Sequence, residues 1–169
     1  MTPEEFKSAW EKVSDEPLSV FPISVFEGTG VSPRTQRFLS VAGLPEEGAA
    51  PYLSIGTSGT EVLETVSEMW DLAPEFDVYR VIGNNGSGDP IVLCPDDSIA
   101  YLNHDNEFEE VYINKDVSVF AEAALFYPGF EAEESEKARF IEFLGKSDPR
   151  ALEEGSFWSY TILDWDEAD

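Results

Sequence analysis

The sequence predicts an α+β fold, with an antiparallel-rich sheet in the middle of the chain and helices towards both ends. Three observations carry this. Apolar residues recur at helical spacing near the termini, β-branched and aromatic runs fill most of residues 51–113, and short gaps of Gly, Pro, Asn and Asp separate those runs. Neighbouring strands joined by short turns pair antiparallel. At 169 residues the chain is read as one domain, residues 1–169, long enough to bury roughly 70% of the surface its unfolded form exposes.

The first helix starts at Thr2, a capping residue followed by Pro3 and by Glu5 three positions on. Phe6, Ala9, Trp10 and Val13 then make one apolar stripe. Ser32 and Pro33 open a second helix, lined by Phe38, Leu39 and Ala42 and ended by Gly43 and Pro45. Strands are expected in "PYLSI", "FDVYRVI", "IVLC", "IAYLN" and "FEEVYI". The run from Val62 to Met69 fits either a strand or a short helix, because Val62, Val66 and Met69 also share a helical face. Asn114 or Asp116 caps a third helix, with Val117, Phe120, Ala121, Ala124 and Leu125 inward. A fourth runs through "EAEESEKARFIEFLG", with Glu133 and Lys137 paired and Gly145 as its stop. Asp148 and Pro149 open a C-terminal helical region whose aromatics, Trp158 and Trp165 among them, are assigned to the core.

Residues 82–105, "IGNNGSGDPIVLCPDDSIAYLNHD", hold the groups most suggestive of chemistry. A phosphate cradle needs glycines that lead from a strand into a helix. Here Gly86 and Gly88 lead into the apolar run Ile91–Cys94, so they read as a hairpin turn. Cys94 and His104 fall on adjacent strands without an orienting group, which points to a core cysteine and a turn histidine and not to a nucleophilic pair. Asp96, Asp97, His104 and Asp105 lack the alternate spacing and closing Glu of a calcium loop, and zinc would want more His or Cys. The expectation is therefore no catalytic residue, no metal and no cofactor.

Charge is the strongest compositional signal. Thirty-five Asp and Glu face 10 Lys and Arg, a formal net charge of −25, yet 42% hydrophobic residues with 12 Phe, 6 Tyr and 4 Trp argue for a packed core. Such a charge opposes approach to nucleic-acid phosphates or anionic membranes; it reads either as a device for solubility or adaptation to salt, or as an acidic face for a basic protein partner. With one Cys, an acidic start "MTPEEF" and no run of membrane-spanning length, the expected location is the cytoplasm. Composition carries no signal for an oligomeric state.

Four segments in order, "SPRTQRFLSVAGLP", "VIGNNGSGDPIVLCPDDSIAYLNHD", "VYINKDVSVFAEAALFY" and "SDPRALEEGSFWSYTI", resemble the SUKH superfamily, nearest its fourth immunity-protein subgroup. The likeness covers about residues 32 to 165. It departs at "LCPDD", where the family commonly has an acid right after the strand and a Gly in the turn. It implies a curved antiparallel-rich sheet flanked by N-terminal and C-terminal helices, acting as a protein-binding module. It further implies an immunity protein that neutralises a cognate toxin, often a nuclease or nucleic-acid deaminase. Asp89, Asp96, Asp97, Asp105, Glu107 and Glu110, in or beside the turns of one meander, are the candidate partner contacts. A regulatory or scaffolding interaction module without a toxin partner is the alternative reading.

Overall fold

The structure, a computed structural model, describes residues 1–56, 62–126 and 134–167. Helix α1 (Pro3–Val13) begins at the expected capping box: the Glu5 N–H donates to Thr2 Oγ1 at 3.2 Å and the Thr2 N–H to Glu5 Oε2 at 2.8 Å. It buries Phe6 and Trp10, whereas Val13, in the last helical position before the extended Ser14, is exposed. Strand β1 (Leu18–Ser19) and a 3-10 turn at Ile23–Phe26 lead to α2 (Pro33–Val41), capped by Ser32. Gly43 ends α2 at φ +74°, where a Cβ would lie 2.1 Å from the Ser19 carbonyl oxygen. Only glycine lets strand β2 (Leu44–Pro45) pair this closely with β1.

Strands β3 (Leu53–Ile55), β4 (Arg80–Asn85), β5 (Pro90–Leu93), β6 (Ile99–Asn103) and β7 (Glu109–Asn114) form an open antiparallel meander in sequence order. Between β3 and β4 the ambiguous run resolves as a short helix, α3 (Val66–Trp70), because Thr65 and Glu68 form a second capping box. Phe76 and Val78, expected in a strand, lie instead in a 3-10 turn, Pro74–Val78. Pro74 at its first position fixes φ and removes an N–H that a strand would need.

The sheet buries both faces by simple alternation. Ile82, Ile91, Leu93 and Ile99 enter the main core with Phe6, Trp10, Phe38, Phe120, Phe140 and Trp158 of the helices. Val92, Cys94, Ala100 and Leu102 point the other way and are covered by Val66, Leu72, Phe76 and Phe108. The α3 and 3-10 segment is thus a lid over the second face.

Asp116, not Asn114, caps α4 (Val117–Ala124), its Oδ1 accepting the Val119 N–H at 2.9 Å. Helix α5 (Glu134–Ser147) runs through Gly145, the expected stop, and ends where Asp148 precedes Pro149. A residue before proline is pushed out of the helical region, a stronger terminator than one glycine. The expected Glu133–Lys137 pair lies outside the described residues. A 3-10 turn at Pro149–Leu152 and α6 (Phe157–Glu167) complete the chain.

Asn114 has another task. Asp148, 3% exposed, accepts from Tyr112 Oη at 2.9 Å, Asn114 Nδ2 at 3.1 Å and the Lys115 N–H at 2.8 Å, while Asn114 Oδ1 accepts from Trp158 Nε1 at 3.0 Å. Burial and the Asp148 carboxylate push the Tyr112 phenol upward, so it stays a donor. This knot joins β7, the end of α5 and the start of α6. Asp148→Ala orphans two buried donors, Tyr112 Oη and Asn114 Nδ2, and the part-buried Lys115 N–H, and is expected to cost about 3 kcal/mol or more, read as a lowered urea midpoint at unchanged slope; a loss below about 1 kcal/mol would show that the knot is dispensable.

Candidate functional site

Consecutive turns of an antiparallel meander fall at alternate ends of the sheet. The β4–β5 and β6–β7 turns therefore lie at one end and the β5–β6 turn at the other. Strands of 4 and 5 residues separate the ends, roughly 13 Å at about 3.4 Å per residue. The candidate acids consequently divide: Asp89, Asp105 and Glu107 belong to the first end, Asp96 and Asp97 to the second, and Glu110 to β7.

Asp89 is buried and turned inward. Its carboxylate accepts from Asn85 Nδ2 at 2.7 Å and from the His104 N–H at 2.9 Å, and its Oδ1 meets His104 Nδ1 at 2.5 Å. Burial works to raise its pKa, but the His104 N–H, the Asn85 amide and the His104 ring outweigh it and hold the carboxyl below the usual range. Asp89 thereby ties the two turns of the first end together. His104 stacks on Trp70 with ring centroids 5.3 Å apart. Asp105 and Glu107 stand exposed on the same turn, Asp105 Oδ1 lying 3.5 Å from His104 Nε2.

At the second end, exposed Asp96 accepts the Ser98 hydroxyl at 2.5 Å and the Ser98 N–H at 3.0 Å, the hydroxyl chiefly holding its pKa down. Half-buried Asp97 accepts the Ser32 N–H at 3.3 Å and so leans on the start of α2. Glu110 accepts from Tyr79 Oη at 3.3 Å and pairs with Arg150 at 3.6 Å. The Arg150 guanidinium in turn lies 3.9 Å over the Tyr112 ring. Asp105 and Glu107 are thus the acids best displayed to a partner.

Cys94 and His104 sit at opposite ends of the meander. Burial and the carboxylates of Glu110 and Asp96 push the Cys94 thiol up to about 12, despite its contact with Ser98, so it stays protonated at neutral pH. The glycine turn is a hairpin, with Gly88 at φ +89° and a strand following. Among the described residues, no three His, Cys, Asp or Glu side chains gather as metal ligands would. None of the described helices is long and apolar enough to cross a membrane.

Sequence reasoning missed exposed aromatics beside the first end. Tyr52 is 83% exposed and Tyr160 53%. Spacing signals the second: two residues after buried Trp158, Tyr160 must face away from it at about 100° per residue. Tyr52 carries no such signal, because its exposure follows from a turn geometry that local sequence does not specify.

A family model described as SUKH-4 immunity protein matches residues 9–164. The chain belongs to the SUKH-4 immunity protein family. The match runs from within α1 into α6 and so takes in the whole SUKH-4 meander, its turns and the Asp148 knot. Comparison with curated proteins and with solved structures gave no match.

The Asp89 geometry yields a pH test. Its folded pKa lies below the unfolded value, so its stabilisation is present above about pH 4 and is lost as pH falls through the folded value. The stability gap between wild type and Asp89→Asn should be clear at pH 7 and narrow progressively as pH falls below about 4 in paired urea titrations. A gap of equal size throughout would contradict the assignment.

Proposed function

We propose that this protein binds a cognate toxin and blocks it, and that the toxin acts on nucleic acid as a nuclease or a nucleic-acid deaminase. Family membership over residues 9–164 is the observation that carries the reading. The acid excess supports its finer part. An enzyme that handles nucleic acid must hold phosphates and therefore offers a basic cleft. A chain of net charge −25 offers the charge such a cleft is built to receive, with steering and specificity following from complementarity. The mode is occupancy without turnover, in the cytoplasm where the nucleic acid is. The partner is a basic protein, and nucleic acid and membrane are not partners.

Expressed alone, a basic toxin encoded beside this gene should arrest its host; with this protein present growth should continue and the two should copurify. Association should slow at least tenfold from low to physiological salt, with dissociation changing less. Asp105→Lys combined with Glu107→Lys should slow association about tenfold and flatten the salt slope, because both side chains are exposed and removed from the core. Asp96→Lys should do less. An unchanged rate and slope in the double variant would exclude the β6–β7 turn and move the search to the acids of α5, Glu136 among them. Failure of the neighbouring protein to bind at any salt would count against immunity itself.

A further inference from the structure

A groove of about 840 Å³ opens at the first end of the sheet, on the face opposite the α3 lid. Tyr52 and the Asn85–Ser87 turn form one wall, Phe157, Tyr160 and Asp164 of α6 the other, with Tyr101 between. Four aromatic residues, Tyr52, Tyr101, Phe157 and Tyr160, are among those that line it, and the Asp164 carboxylate stands one helical turn beyond Tyr160. Tyr52 adds an independent signal. It holds φ +62°, a left-handed geometry that costs a bulky residue of order 1 kcal/mol or more. That strain serves no burial, since the ring is 83% exposed. Strain that displays an aromatic ring instead of packing it marks a surface shaped for contact.

We propose that this groove receives an arginine side chain from the basic partner, its guanidinium lying against the tyrosine rings and ending on the Asp164 carboxylate. The chain already contains this arrangement internally, in Arg150, which lies over Tyr112 and reaches Glu110. Aromatic faces attract cations electrostatically, and a planar guanidinium both stacks and pairs with a carboxylate, which an ammonium does less well. The acidic background repels an anionic occupant and concentrates a cationic one. The volume admits a long side chain together with neighbouring residues of its segment. Asp105 and Glu107, at the same end, would guide the approach while the aromatic groove fixes the register.

The inference rests on the immunity reading for its partner but can be tested without it. N-acetyl-argininamide is titrated into the isotope-labelled full chain at about 0.15 M salt, where long-range attraction is screened. Saturable NMR shifts should centre on Tyr52, Tyr101, Phe157 and Tyr160 and weaken at least fivefold in Tyr160→Ala and in Asp164→Asn, the latter keeping the groove's shape. N-acetyl-citrullinamide, its uncharged counterpart, should bind at least tenfold more weakly. Equal shifts with the citrulline compound, or shifts spread over exposed acids such as Asp96 and unchanged by either variant, would overturn the proposal. With the neighbouring toxin, Tyr160→Ala with Asp164→Asn should raise Kd at least tenfold. Unchanged Kd would sink the arginine site and leave immunity standing, whereas a toxin that wild type does not bind, beside a positive argininamide titration, would do the reverse.

Discussion

A carboxylate buried at the junction of three elements governs the way this molecule is assembled. Asp148 takes hydrogen bonds from Tyr112, Asn114 and Lys115 at the end of β7, and Asn114 passes the connection to Trp158 on α6. A buried charge is tolerated only when its lone pairs are occupied, so all three elements must be in place together. The placement of α6 against the sheet follows, and with it one wall of the aromatic groove. Asp89 does similar work at the far end of the meander, where it locks two turns to each other through His104. Both acids are spent on architecture, which leaves display to residues such as Asp105, Glu107 and Asp164.

Several basic side chains among the described residues lie on the surface and pair with acids. Arg37 meets Glu4 at 2.6 Å, Lys146 meets Glu142 at 2.5 Å and Arg34 meets Asp116 at 3.4 Å. Such exposed pairs contribute only about 0–1 kcal/mol each, and they do not offset an excess of 25 negative charges. Self-repulsion of that size works against the folded state, and a partner of the basic character proposed above would relieve it on binding. On that proposal, the charge that burdens the isolated chain is the charge that favours the complex.

Local chemistry was the legible part of the fold. Thr2 with Glu5, Ser32 with Pro33, and Gly43 announce their caps and stops, and the Asn84–Gly88 turn announces its hairpin, because each depends on residues within four positions. Phe76 and Val78 have the composition of a strand, but Pro74, whose missing N–H and fixed φ favour a 3-10 turn, overrides it. Between Asn114 and Asp116 local sequence does not choose the cap: Asp116 takes it, and the partners that occupy Asn114, Asp148 and Trp158, lie 34 and 44 residues away. The candidate acids show the same boundary. Sequence places them in turns, but only the alternation of the meander assigns Asp96 and Asp97 to one end and Asp105 and Glu107 to the other. Asp89 reads as a turn carboxylate in the sequence, and its burial against His104 gives it a structural duty.

The proposed recognition surface is the end that carries Asp105, Glu107, Tyr52 and Tyr160. Amide hydrogen exchange of the protein, alone and saturated with the neighbouring toxin, measures it most directly. Protection should appear in residues 50–53, 85–88 and 104–108 and along the outer side of α6, with residues 94–98 exchanging as in the isolated chain. Protection confined to residues 94–98 and the start of α2, with the first end unchanged, would contradict it.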